Sequence, residues 1–196
     1  MARGFQVRAA SITIVAHLLF IAIATLVLLW LLHFREGVAF FNSSNPIKIF
    51  NLHPLLMVIG FILVGGEALV AGILGIIAVF KSKKEAGLPD MYTLHSWLGM
   101  SAICLFGLQY IMGFFSYFFP GAEMSTRASL LPWHRFLGMA IFLLAVCTAE
   151  TGLVQYFQFL HLFRSQEALI VNSTALLLFL YAFFVTLSVI LPRNYS

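Results

Sequence analysis

Charge is what this chain most lacks. Of its 196 residues only 9% are Asp, Glu, Lys or Arg, against 62% hydrophobic, and the mean hydropathy is +1.01. Soluble domains carry about 25% charged residues, so a water-soluble globule is excluded. The net charge is +4, but the basic residues are scattered through short loops and form no stripe, which excludes nucleic acid as a partner. Cysteine is nearly absent as well. Cys104 and Cys147 stand alone inside apolar segments without CxxC spacing, so they read as small core residues with no redox chemistry. No small-residue cleavage site follows the first apolar segment, which argues against a secretory signal ahead of a soluble domain.

What the chain has in quantity is long apolar runs. Five can be read, over residues 11–32, 54–80, 94–119, 136–160 and 168–191. Each meets the roughly 20 residues needed to cross the hydrocarbon layer. They show no ten-residue strand alternation, and backbone polar groups in lipid must be satisfied internally. The expected fold is therefore an all-α membrane protein, a helical bundle, with residues 1–196 as a single transmembrane domain. Small residues (Gly60, Gly65, Gly66, Gly72, Gly75, Gly99, Ser101, Ala102, Gly107) suit close helix approach. The 21 phenylalanines fit lipid-facing and interhelical positions. Asn42-Ser43-Ser44 and Asn172-Ser173-Thr174 match the N-glycosylation pattern, the second too close to an apolar segment for modification to be expected.

Three histidines sit at the mouths of apolar segments, in Asn51-Leu52-His53-Pro54, in Tyr92-Thr93-Leu94-His95-Ser96-Trp97 and in Leu131-Pro132-Trp133-His134-Arg135. An ionisable side chain at a membrane span is costly unless it binds something, and neutral imidazole is the commonest metal ligand, haem iron included. One such histidine alone reads as a polar cap; three with the same placement read as ligands. Iron held by two imidazoles has both axial positions filled, which favours outer-sphere electron transfer over oxygen chemistry.

The stretches Phe50-Asn51-Leu52-His53-Pro54-Leu55-Leu56-Met57, Met91-Tyr92-Thr93-Leu94-His95-Ser96-Trp97-Leu98-Gly99, Leu130-Leu131-Pro132-Trp133-His134 and His33-Phe34-Arg35-Glu36-Gly37 closely resemble the transmembrane ascorbate-dependent cytochrome b561 family, in wording most like its plant members. The resemblance implies six spans, a four-helix core with two b-type haems, and electron transfer from cytosolic ascorbate to monodehydroascorbate or a ferric chelate on the far side. It also implies an oxidoreductase, a homodimer, and a vacuolar, other endomembrane or plasma-membrane location. By it, His53 and His95 are the axial pair of the non-cytosolic haem, and His134 is one ligand of the cytosolic haem. Met91, Tyr92, Thr93 and Leu94 match the turn lying against the outer haem. Phe80 and Lys83 match the outer substrate pocket, where the family usually has a histidine in place of Lys83. Arg127 matches a basic residue near cytosolic ascorbate, whose enediolate suits a guanidinium fork.

One part of the family pattern is missing. The run Val64-Gly65-Gly66-Glu67-Ala68-Leu69-Val70-Ala71-Gly72 has neither the expected histidine nor a basic loop. About 25 residues, a loop plus half a span, are absent, and with them the partner of His134. His17, His33 and His161 sit where none is expected to replace it. Residues 54–80 would make about 40 Å of helix, so the expectation is one long, tilted or broken helix with a weak point at Gly65-Gly66. Five alternating spans would then set His95 on the face opposite His53, whereas the resemblance puts both on one face. Positive-inside counting does not decide between the topologies. Glu67 and Glu150 are intramembrane carboxyl groups suited to proton handling, and Gln155 takes no role. The alternative reading is a truncated, non-catalytic isoform lacking one haem site.

Overall fold

A computed structural model describes residues 9–39, 46–63, 68–118 and 120–191, and among them all regular structure is helical. Six helices follow one another: α1 (Ala9–Leu29), α2 (Pro46–Leu55), α3 (Ala68–Glu85), α4 (Leu94–Gly113), α5 (Met124–Phe159) and α6 (Gln166–Ile190). Wider π-helical turns extend α1 over Trp30–Phe34, α2 over Leu56–Leu63 and α4 over Phe114–Phe118.

Local chemistry explains several of the helix ends. Pro46 opens α2 at a position where its missing N–H costs nothing. Thr93 caps α4 by accepting the Ser96 N–H, and Ser165 caps α6 by accepting the Ala168 N–H at 3.0 Å. Glu167 adds a carboxylate to the first turn of α6, where the helix dipole favours it. Pro54 lies inside α2 and removes one helical hydrogen bond just before the backbone widens at Leu56.

Four helical stretches are long and apolar enough to cross a membrane, namely Ile14–Phe34, Leu94–Phe118, Met124–Phe159 and Gln166–Ile190. Helix α5 has 36 residues, about 54 Å of helix, well beyond a hydrocarbon layer of about 30 Å. The principal packing pairs are α4 with α5, α1 with α6 and α2 with α3, with α6 also against α5. The shared interior comprises Ile23, Val27, Trp30 and Leu31 of the first helix, Val58, Ile103, Ala145, Leu153, Val171 and Leu178.

Of the expectation over residues 54–80, one long, tilted or broken helix, the continuous form is corrected: described helix ends at Leu63 and begins again at Ala68. The helical segments on either side of residues 64–67 pack against each other, so closely that a methyl on Gly75 of α3 would lie 3.0 Å from Met57 Sδ and 3.5 Å from Leu56 Cβ. A continuous helix would hold residues 53 and 75 about 33 Å apart; instead they are hydrogen-bonded. The second apolar unit comprises two 18-residue helical arms, 46–63 and 68–85, packed against each other. The first arm begins eight residues before the apolar run because Asn51 can be buried, its amide donating to the carbonyls of Arg35 and Gly37 at 2.8 Å each. With the two arms packed together, His95 lies at the same end of the bundle as His53. Gly65, Gly66 and Glu67 lie outside the described residues.

A second expectation is corrected too. Cys104 and Cys147 are exposed on the outside of the bundle rather than in its core. Lipid is as apolar as a helix interface, so an apolar segment does not reveal which of its small residues face inward. The same holds for Leu18, Ile21, Phe179 and Phe183, all exposed on the outer belt.

Candidate functional site

His53 lies near the end of α2 and His95 is the second residue of α4. Their ring centroids are 6.1 Å apart with the ring planes at 85°. His53 Nδ1 is 3.0 Å from the Gly75 carbonyl oxygen, and His95 Nδ1 is 2.9 Å from that of Thr148. A carbonyl only accepts, so each Nδ1 carries the proton and each Nε2 keeps its lone pair. This is how metal-ligating histidines are held: the second nitrogen donates to a fixed oxygen, which sets tautomer and ring orientation. Metal–imidazole bonds of roughly 2 Å on each side of one ion, plus the two ring radii, bring centroids to about 6 Å. Among the described residues no group of three or more His, Cys, Asp or Glu side chains gathers as a bare-ion site would. Two imidazoles alone suit a metal whose remaining ligands come from a macrocycle, so the residues present fit haem iron.

At the other end of the α4–α5 pair, the His134 ring stacks edge-on to Tyr117 at 5.4 Å. It borders a cavity of about 480 Å³ lined by Phe106, Gln109, Gly113, Phe114, Gly138 and Phe142 among others. Gln109 Nε2 donates to the His134 carbonyl at 3.0 Å, while its Oε1 is buried without a partner. Gly113 on α4 lies 18 residues beyond His95, about 27 Å along the helix, and its Cα carries no methyl that would press to 3.2 Å from the His134 ring. His33 packs on Phe34 and His161 on Phe163, both at the His53 end of the bundle, and His17 is on α1, which lies against α6. Among the described residues no second histidine faces His134.

Helices α4 and α5 are built on one reciprocal device. His95 precedes Gly113 by 18 residues, and His134 precedes Gly152 by 18. Eighteen residues are five full helical turns, so histidine and glycine share a face. In the antiparallel pair each histidine meets the partner helix's glycine: a methyl on Gly152 would lie 2.7 Å from His95 Cε1 and 2.9 Å from its Nδ1. The His-to-Gly interval was visible in the sequence, but nothing there showed that the two helices pair. The carbonyls of Gly75 and Thr148 left no sequence signal at all, because any residue supplies one.

The other expected residues divide by location. Thr93, Met91, Tyr92 and Leu94 form the turn leading into α4. Thr93 is committed to capping and also meets Gln155 Oε1 at 3.4 Å; Met91 takes a left-handed φ of +54°; Tyr92 and Leu94 are exposed. The Lys83 ammonium sits 5.1 Å above the Tyr92 ring. Phe80 lines a shallow cavity of about 580 Å³ with Lys81, Lys84, Leu88 and Asp90. All of these belong to the His53/His95 end. Arg127 belongs to the His134 end, where its Nε donates to the Ala122 carbonyl at 2.6 Å and its own carbonyl accepts from Tyr117 at 3.4 Å. Glu150 is partly buried in α5 with Oε1 unpartnered. Sequence reasoning missed Arg35, Asn51, Tyr156 and Glu167, which are interlinked beside His53.

Comparison with known proteins adds a family to this geometry. A family profile described as eukaryotic cytochrome b561 matches residues 68–160. The chain is 41% identical to the probable ascorbate-specific transmembrane electron transporter 1 of Oryza sativa subsp. japonica, over 97% of this chain and 94% of that protein. It is 38% identical to the ascorbate-specific transmembrane electron transporter 2 of Zea mays, over 98% and 94%. It is 37% identical to the transmembrane ascorbate ferrireductase 1 of Arabidopsis thaliana, over 93% and 88%. The rice alignment runs over 221 positions against 196 residues here, leaving at least 25 without a counterpart, and the profile match begins at Ala68.

Proposed function

Since the chain belongs to the eukaryotic cytochrome b561 family, we propose that it is an ascorbate-dependent membrane oxidoreductase holding one b-type haem between His53 and His95. The observation that carries this is the imidazole pair at 6.1 Å, each ring with Nδ1 given to a backbone carbonyl and Nε2 left as a ligand. A b-type haem would be held by His53 and His95 and would supply one-electron redox chemistry there.

The residues around it have separate tasks in this reading. His53 and His95 hold the iron, and Gly152 leaves the His95 ring its place. The Met91–Leu94 turn, with Thr93 spent on capping α4, sets the start of that helix and so the place of His95. Lys83, with Lys81 and Lys84 beside the Phe80 cavity, draws an anionic acceptor, monodehydroascorbate or a ferric chelate, to that end. Arg127 at the opposite end offers its guanidinium to ascorbate. Assembly as a homodimer belongs to the same proposal.

The transmembrane step is where this chain departs from its relatives. His134 lies about 21 Å along α5 from Thr148, with a cavity beside it and no facing histidine among the described residues. That favours a second reading, a variant lacking one haem site and unable to relay electrons across the membrane. Haem per polypeptide in the purified chain counts the sites, and ascorbate separates the two readings: a haem that ascorbate reduces supports the oxidoreductase, and a haem that it leaves oxidised supports the non-catalytic variant. One low-spin haem lost in both His53→Ala and His95→Ala supports the proposed site, and two haems would restore a full relay. A preparation with no Soret band refutes both the site and the oxidoreductase reading of this chain.

A further inference from the structure

We propose that Arg35, Glu167 and Tyr156 are positioning residues, a charged clamp that seats the His53 ring and sets the electrostatic field at the His53/His95 site. The inference rests on that site holding a haem.

Arg35 follows the last turn of the first helix. Its Nε lies 3.2 Å from Glu167 Oε1 and 3.3 Å from the Tyr156 hydroxyl, and its guanidinium stands 5.3 Å from the Tyr156 ring centre. Glu167 also accepts the Trp30 indole N–H at 2.7 Å. The two charged side chains are only 16% and 13% exposed. Tyr156 stacks on Phe50 with centroids 5.4 Å apart and planes at 19°. Phe50 in turn lies 6.1 Å from the His53 ring. The backbone closes the same link, since Asn51, two residues before His53, donates to the carbonyl of Arg35. The first helix, α6, α5 and α2 thus converge on one ion pair beside one ligand.

Burying an ion pair adds little stability, because desolvation cancels most of the attraction. Its effect on a neighbouring redox centre is another matter, since charges act over longer distances where water is scarce. A cation left alone there favours the reduced iron, and an anion left alone favours the oxidised iron. Packing by itself predicts no such opposition of sign.

The test is a redox titration of the haem in the full-length purified chain. Glu167→Gln is expected to raise the midpoint potential and Arg35→Gln to lower it, with the double variant returning toward the parent value. Arg35→Lys keeps the charge and is expected to keep the potential. Tyr156→Phe retains the stack on Phe50 and is expected to shift the potential less than either charge variant. Two single variants moving in the same direction, or neither moving while haem is retained, would overturn the clamp. If a single variant loses its haem, the double variant decides: regained haem supports compensation, and continued loss refutes it. Haem retained unchanged in both His53→Ala and His95→Ala would instead refute the site on which the clamp acts.

Discussion

Replacing Gly152 with alanine puts a methyl 2.7 Å from His95 Cε1 and 2.9 Å from its Nδ1, inside van der Waals contact. The ring is not free to swing aside, because Nδ1 is held at 2.9 Å by the Thr148 carbonyl one turn earlier on the same helix. Either that hydrogen bond breaks or α4 and α5 separate. Alanine for glycine inside a helix is itself favourable by about 0.8–1.0 kcal/mol, whereas overpacking costs about 1–3 kcal/mol. Net folding stability should therefore move by little. Metal affinity should not be spared: loss of an outer-shell partner typically costs about 10–100-fold, equivalent to about 1.4–2.8 kcal/mol. Haem content by pyridine haemochrome, set beside helicity by circular dichroism, reads the two effects separately. The expected result is native helicity with haem occupancy falling at limiting haem. Gly113→Ala is the control, since its methyl meets His134 at 3.2 Å and leaves the His53/His95 pair untouched. Full occupancy and an unchanged spectrum in Gly152→Ala would refute the placement of His95 as a ligand.

Further outcomes follow from the same geometry. His134→Ala should leave the low-spin bis-imidazole spectrum intact; any haem beside His134 would have one open axial position, so a carbon monoxide difference spectrum in the parent should vanish in this variant. Asn51→Leu strands the carbonyls of Arg35 and Gly37, and at about 1–3 kcal/mol per buried unsatisfied group it should lower the thermal midpoint in detergent. Lys83→Glu should weaken reduction of an anionic ferric chelate several-fold through KM, with the haem spectrum unchanged; an equal loss with a neutral acceptor would refute a steering role. Arg127→Ala removes the 2.6 Å bond to Ala122 as well as a cation, so Arg127→Lys is the discriminating variant: restored ascorbate reduction supports a charge role, and continued loss assigns Arg127 to the turn alone.

The histidines illustrate why some of this was legible beforehand. His53, His95 and His134 were exposed as candidates by chemical cost, since imidazoles at the edges of apolar runs need a reason to be there. Their nearest neighbours in sequence carried the family resemblance. That residues 54–80 make two packed helical segments and not one span was missed because hydropathy measures apolar length and not direction. It marked Asn51 and His53 as a boundary, while a helix runs straight through them, with Asn51 Nδ2 donating to the carbonyls of Arg35 and Gly37. Cys104 and Cys147 were misplaced for a related reason, the equal apolarity of lipid and interface.

By itself, then, the chain's order of residues determined a lipid-embedded all-helical protein and its family, and singled out which imidazoles to consider as ligands. Those follow from transfer energies and side-chain chemistry, which are properties of each residue and its immediate neighbours. Tertiary packing alone decided that residues 53 and 95 meet at one end, that Gly75 and Thr148 lend them carbonyls, that Gly152 clears the space, and that Arg35 finds Glu167 132 positions away. Such pairings depend on which helix faces join, a choice made by the fit of whole surfaces across the bundle.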